Sequence, residues 1–319
     1  MNIRTRRDYI LVLIKGLAMG AADIVPGVSG GTIALITGIY DELLHSLKNL
    51  GPQALMVLVK SGFSSFWRHI NGTFLLVLFA GILISIKTFA SLISFCLEFY
   101  PLLVWGFFAG LIAASILLLA KQQSAWSAKH WLLCLSGACL VVIISIVKPA
   151  QLPGDWWILF FGGFIAICAM ILPGISGSFI LLLMGLYPSV LEAVKSLDVI
   201  AIASFGAGCA CGLLVFSRIL AWLLDNYYTS TLAVLIGFLV GSLNVTWPWK
   251  QTLESTLGRH GEIIPLLQTN VSPWNYTELV HSEAQLIPVV LMVGLGMALV
   301  LFTEMVAKKF FKSSVPAQN

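Results

Sequence analysis

The sequence predicts an all-α polytopic membrane protein, and three observations carry that prediction. Of 319 residues, 59% are hydrophobic and 10% are charged, whereas a soluble globular domain carries about 25% charged residues. Apolar runs long enough for a hydrocarbon layer of about 30 Å, which takes about 20 helical residues, recur along the chain. Those runs lack the two-residue alternation of a transmembrane barrel: Leu75-Leu76-Val77-Leu78-Phe79 and Ile180-Leu181-Leu182-Leu183-Met184 are apolar on both faces.

The elements follow in order. Arg4, Arg6 and Arg7 precede a first apolar stretch, 9–48, broken in its middle at Pro26-Gly27. This basic start could pass for a signal peptide with a small-residue site near Ala18-Met19-Gly20, but it runs straight into a motif that recurs in mid-chain and is expected to stay in the mature fold. Uninterrupted spans read at 72–97, 101–120 and 131–148. A second broken stretch covers 156–197, spans follow at 199–224 and 231–247, a long connection runs from about 248 to 284, and a last span covers 285–307. That gives about ten apolar helical segments. The expected division is a first repeat at 1–121, a linker with its own span at 122–155, a second repeat at 156–249, and an outward-facing loop with a final span at 250–319.

Charge sets the orientation. Eleven of the 18 Lys and Arg residues (Arg4, Arg6, Arg7, Lys48, Lys60, Arg68, Lys121, Lys129, Lys308, Lys309 and Lys312) fall on the side of the N-terminus, and four (Lys148, Lys195, Lys250 and Arg259) fall opposite. The positive-inside rule then puts both termini in the cytoplasm. The net charge of +4 calls for no nucleic acid. The 248–284 connection faces outward, with Trp247, Trp249, Trp274 and Tyr276 suited to the membrane boundary, and reads equally as a lid or as an interfacial loop. The six cysteines lie in apolar spans without metal-ligand spacing, and the five histidines are scattered near span ends, so no metal is assigned.

The broken stretches are copies of each other. Pro26-Gly27-Val28-Ser29-Gly30 aligns with Pro173-Gly174-Ile175-Ser176-Gly177 at an offset of 147, and the match continues through Ile33/Ile180, Leu35/Leu182, Gly38/Gly185, Tyr40/Tyr187, Leu44/Leu191 and Lys48/Lys195. Gly81 and Lys87 match Gly212 and Arg218 at an offset of 131, as Gly106-Phe107-x-x-Gly110 matches Gly237-Phe238-x-x-Gly241. The first copy thus holds 16 extra residues, expected in the polar stretch around 60–71. Each unit is a broken, re-entrant or spanning hairpin followed by two spans, and with 131–148 between them an odd number of crossings separates the two starts. The second copy is therefore expected upside down, the plan of many secondary transporters, with the ligand near the midplane.

Chemistry concentrates at the breaks. Pro26 and Pro173 lack an N–H, Gly27 and Gly174 permit a tight path, and Ser29 and Ser176 stand at the N-cap of the returning helix. Two such helix starts facing each other would offer converging N–H groups and hydroxyls to an anion, from Ser29, Gly30, Gly31 and Thr32 and from Ser176, Gly177 and Ser178. The plainer alternative is a pair of kinked, packed helices. Lys87 and Arg218 occupy equivalent places inside spans, where a cation costs about 2.5–3.5 kcal/mol and is rarely idle. They would counter a phosphate monoester of charge about −1.5 to −2, unless they snorkel to the headgroups. Asp23, three residues before the first break, has Met170 as its counterpart. With Lys15 it forms either a coupling site for H⁺ or Na⁺ or a structural pair.

At these residues the chain resembles the bacterial polyprenyl-phosphate transporter (PopT-like) family. The resemblance rests on Gly16-x-x-x-Gly20-Ala21-Ala22-Asp23-x-x-Pro26-Gly27-Val28-Ser29-Gly30-Gly31-Thr32 and on the second Pro173-to-Gly177 motif, and it covers nearly the whole chain. Membership would imply a flippase that returns undecaprenyl phosphate, the lipid carrier of cell-wall sugars, to the inner leaflet of the bacterial cytoplasmic membrane. It would have no enzymatic activity, no cofactor, a polyprenyl-phosphate lipid and the bilayer as partners, and room for a homo-oligomer. Undecaprenyl-pyrophosphate phosphatases are similar in their inverted repeats and Pro-Gly-x-Ser tips. There, however, Arg follows the Ser, where this chain has Gly30 and Gly177, and no close glutamate pair lies in a predicted span here. A carrier of small anions is a third reading, without a lateral opening for a lipid tail.

Overall fold

The computed structural model describes residues 5–25, 28–123, 126–147, 150, 152–257 and 263–312. The described residues are mostly helical (81%), with 13 helices among them. The first hairpin comprises α1 (Arg6–Ile24), α2 (Gly30–Ile36) and α3 (Tyr40–Lys48), followed by α4 (Pro52–His69), α5 (Gly72–Phe99), α6 (Pro101–Gln122) and α7 (Ala128–Ile146). The second comprises α8 (Trp156–Ile171), α9 (Gly177–Leu183) and α10 (Tyr187–Ser196), followed by α11 (Val199–Val245). Strands β1 (Lys250–Leu257) and β2 (Ile263–Asn270), then α12 (Pro273–Val280) and α13 (Leu286–Lys312), complete the chain.

Four described helices, α5, α6, α7 and α11, are long and apolar enough to cross a membrane, and a fifth crossing is available if α9 and α10, bent by 103°, count as one broken span. Proline sets several starts: Pro52 and Pro101 open α4 and α6 where a missing N–H costs nothing. The 47 residues of α11 would stretch about 70 Å if straight. They turn instead at Tyr227 (φ −136°, ψ 44°), and across the turn the Thr231 hydroxyl donates to the Leu223 carbonyl at 3.1 Å.

Glycine seams align the long helices. A Cβ on Gly81 would stand 2.5 Å from the Leu13 carbonyl oxygen, and one on Gly20 2.6 Å from that of Ile82, so α1 and α5 touch backbone to backbone. Their partners climb together, Gly16 with Leu78 and Gly20 with Ile82, so the two helices run parallel. The same seam recurs between α8 and the start of α11: Gly163 meets Phe205 and Cys209, and Gly212 meets the Phe164 carbonyl at 2.6 Å from its would-be Cβ. Gly163 and Gly212 are the sequence counterparts of Gly16 and Gly81. Further parallel pairs join α6 to α13 through Gly110 against Val293 and Gly296 against Phe107, and α7 to the end of α11 through Gly137 against Val234 and Gly241 against Ala138. Because α1 and α5 run the same way, α2, α3 and α4 bring the chain back to the side where α1 begins. By the same argument α9 and α10 return the chain after α8.

The fold is predominantly α-helical, as expected, with one addition: the 248–284 connection contains an antiparallel β1–β2 ribbon, shifted in register around Glu254, and the helix α12. A ribbon is tolerated there because its unpaired edge groups lie outside the apolar spans, where water can satisfy them. Trp247 and Trp249 pin it by donating from their indoles to the Val271 and Ala284 carbonyls at 2.9 and 2.7 Å. The extra segment of the first copy, expected around 60–71, is helical. It is largely α4, which begins at Pro52, kinks at Gly62 (φ 78°), and has no counterpart between α10 and α11. Its apolar residues Leu55, Met56, Val59 and Phe63 are exposed, as on a helix lying at a membrane interface.

Candidate functional site

The first break is held by side chains on both sides of it. α1 ends where the Val25 N–H donates to the Ala22 carbonyl at 3.1 Å. Pro26 and Gly27 lie outside the described residues, and the chain resumes at Val28, whose N–H reaches the Val25 carbonyl at 3.1 Å. Ser29 caps α2: its backbone is extended (φ −125°, ψ 135°) and its Oγ accepts from the Gly31 N–H at 3.1 Å. The Gly30 N–H donates to Asp23 Oδ1 at 2.6 Å. Lys15 Nζ donates to the Thr37 carbonyl, at the other end of α2, at 2.7 Å. Asp23 and Lys15 therefore bracket α2, a carboxylate at its positive end and an ammonium at its negative end.

The second break lies directly against the first. The Ser29 hydroxyl donates to the Met170 carbonyl at 3.0 Å, the Tyr40 hydroxyl donates to the Ile171 carbonyl at 3.0 Å, and the Gly174 N–H donates to Thr32 Oγ1 at 2.9 Å. A Cβ on Gly31 would sit 2.6 Å from the Ile171 carbonyl oxygen. Unwinding after α8 frees the carbonyls of its last turn, and the hydroxyls of the first hairpin satisfy them. Gly174 takes a left-handed conformation (φ 84°) and leaves only 2.8 Å between a would-be Cβ and the Phe238 carbonyl, so a side chain is excluded both by strain and by space. Pro173 precedes it, buried.

The two tips are not equivalent in detail. Ser176 occupies the N-cap position of α9, but its hydroxyl pairs with that of Ser178 at 2.9 Å instead of capping the helix. Gly177 packs on the Ala166 carbonyl and the Met170 side chain, so Met170 stands against the second tip where Asp23 stands against the first. The structure thus brings together Asp23, Ser29, Gly30, Gly31, Thr32 and Gly174, with Ser176, Gly177 and Ser178 beside them. It does not bring the two predicted cations to that point. Arg218 lays its guanidinium against Gly51, at the start of α4, and Lys87 is exposed on α5, turned away from the seam that Gly81 and Ser85 make with α1.

Three participants escaped the sequence reading: the Tyr40 hydroxyl, the Met170 and Ile171 carbonyls, and a polar link from α3 to the bend of α11. In that link Asp225 receives His45 at 3.0 Å and Lys48 at 3.5 Å. The match of Tyr40 with Tyr187 was a signal for the first. No pattern in the sequence marks which carbonyls a break will orphan.

Residues 19–264 match the VCA0040-like family, described as undecaprenyl phosphate translocase-like. The chain belongs to this family. The match contains both tips, the whole α8–α11 seam, and the Gly20 and Gly81 part of the α1–α5 seam. A polyprenyl-phosphate transporter of Vibrio cholerae serotype O1 is 47% identical over 303 residues, which are 95% of this chain and 98% of the relative. A polyprenyl-phosphate transporter of Staphylococcus aureus is 31% identical over 254 residues, 74% of this chain and 85% of the relative. No solved structure matches. The family and relatives bear the names of transporters, not of enzymes, and the phosphatase reading is set aside.

Proposed function

We propose that this protein carries undecaprenyl phosphate from the outer to the inner leaflet of the bacterial cytoplasmic membrane, with the phosphate held between the two tips during alternating access. The observation that carries the reading is the contact of the tips: hydroxyls of the first hairpin are bonded to backbone carbonyls and an amide of the second. A phosphate oxygen presents the same acceptor chemistry as the Asp23 carboxylate at Gly30 and the Ser29 oxygen at Gly31. It can take over those donors as the tips part. Asp23 must then give up the Gly30 N–H, and neutralising it with a proton or Na⁺ ties that exchange to a coupling ion. Lys87 and Arg218, one step removed from the tips in the conformation described, supply charge from either copy as one repeat moves against the other.

Parallel seams support the inverted arrangement. Each hairpin re-enters on its starting side, and α5, α6 and α7 then give three crossings before the second copy starts. Both termini lie in the cytoplasm, and the lobe of β1, β2 and α12 lies outside. The decisive experiment reconstitutes the purified chain with undecaprenyl phosphate and, separately, its pyrophosphate. The former is expected to change leaflets without phosphate release from the latter, and Arg218→Ala is expected to slow exchange roughly tenfold or more. Phosphate release, or no exchange above protein-free vesicles, would refute the assignment.

A further inference from the structure

Lys250, at the first position of β1, meets no acidic partner among the described residues that line its surroundings. Its ammonium donates to the Val245 carbonyl and stands 4.4 Å from the centre of the Trp105 ring. Burial lowers its pKa from 10.5 to about 8, so at neutral pH it remains mostly protonated. A largely buried cation satisfied only by a carbonyl and an aromatic face is incompletely compensated, and an anion beside it would lower that cost.

Two cavities meet at this residue. One of about 200 Å³ is lined by Ser145, Asn244, Lys250, Gln268 and Asn270, and also by Phe179 of α9, the residue after Ser178. Its amides are already ordered. Asn270 Nδ2 donates to Asn244 Oδ1 at 2.8 Å, and Asn244 Nδ2 donates to Ser145 Oγ at 2.9 Å. The other cavity, of about 440 Å³, shares Lys250 and Gln268 but is faced by Leu102, Trp105, Tyr276 and Val280. The first is smaller than the roughly 300–1,000 Å³ of pockets that enclose drug-sized ligands, so it suits a headgroup rather than a whole lipid.

We propose that Lys250 and the amide-lined cavity beside it form an outward-facing reception site for the phosphomonoester head of the lipid, from which it passes along α9 to the second tip. This rests on the transport reading above and adds to it a site 74 residues beyond Ser176 in sequence, on a different lobe. The aromatic-walled cavity on the other side of Lys250 gives the first apolar units of the tail a place out of water. The ammonium and amides recognise any phosphate monoester, and attachment to a lipid is what distinguishes the proposed ligand from free inorganic phosphate.

The test uses the full chain in proteoliposomes and measures outer-to-inner movement of undecaprenyl phosphate against its concentration. Lys250→Met and Lys250→Gln are expected to raise the half-saturating lipid concentration roughly tenfold or more while the maximal rate stays near that of the parent, and Lys250→Arg is expected to keep the parent value. Removing a buried, incompletely compensated charge should leave thermal unfolding in detergent unchanged or later, so folding does not limit the neutral variants. An excess of external inorganic phosphate is expected to leave the half-saturating concentration unaltered, and competition by it would reassign the cavity to the free ion. If the parent moves the lipid and the neutral variants saturate where it does, the reception site is refuted. If the parent itself moves none, the transport reading falls instead.

Discussion

Thr32 illustrates how much rests on single polar atoms here. It is fully buried, and its Oγ1 takes the Gly174 N–H of the opposite tip at 2.9 Å. Thr32→Val keeps the shape and removes the acceptor, leaving a buried donor unpaired at a cost of about 1–3 kcal/mol. Thermal unfolding in detergent should show that loss for Thr32→Val and little of it for Thr32→Ser. An unchanged midpoint for Thr32→Val would mean that the contact contributes nothing. At this scale the sequence made the breaks and their polar residues readable, because Pro-Gly and a following Ser leave few backbone choices. It did not reveal that Ser29 caps its helix while Ser176 pairs with Ser178, since that difference depends on what lies opposite. Nor did it separate the charges at the tips from those beside them: Asp23 is at the junction, whereas Arg218 lies on Gly51.

Among the elements, the glycine seams decide how closely helices approach. Gly16 and Gly81 let α1 and α5 meet along their backbones, and a side chain at Gly16 would run into the Leu78 carbonyl. In a bilayer, where lipid competes equally for apolar surface, such close packing is a main source of helix association. Gly16→Val should therefore destabilise the folded protein by roughly 1–3 kcal/mol or more. Gly206→Ala on α11, with open space around it, should be neutral or slightly stabilising. Unfolding in detergent, measured on both, checks the contrast, and equal effects would remove the seam from the account. The spans and breaks were legible because apolar length and proline are local signals. The helix α4 and the β1–β2 ribbon were not, since neither carries a long apolar run.

For the whole molecule, the duplication in sequence and the recurrence of the α1–α5 seam in α8 and α11 describe one unit used twice. The duplication could be read directly, but the contact of the tips could not, because it joins residues such as Ser29 and Met170 that are 141 positions apart. The proposed inversion makes a sided prediction. α5, α6 and α7 separate the two hairpins, so the start of α7 and the β1–β2 lobe must lie across the membrane from each other. In a background with the six cysteines replaced, an impermeant maleimide added to intact cells should label Ser255→Cys in β1. It should reach Lys129→Cys, in the first turn of α7, only after the membrane is opened. Both positions are exposed, so failure to react reports sidedness and not burial. Labelling of both from outside would place the two hairpins on one side and leave the tips without the opposed approach that holding a phosphate at mid-membrane requires.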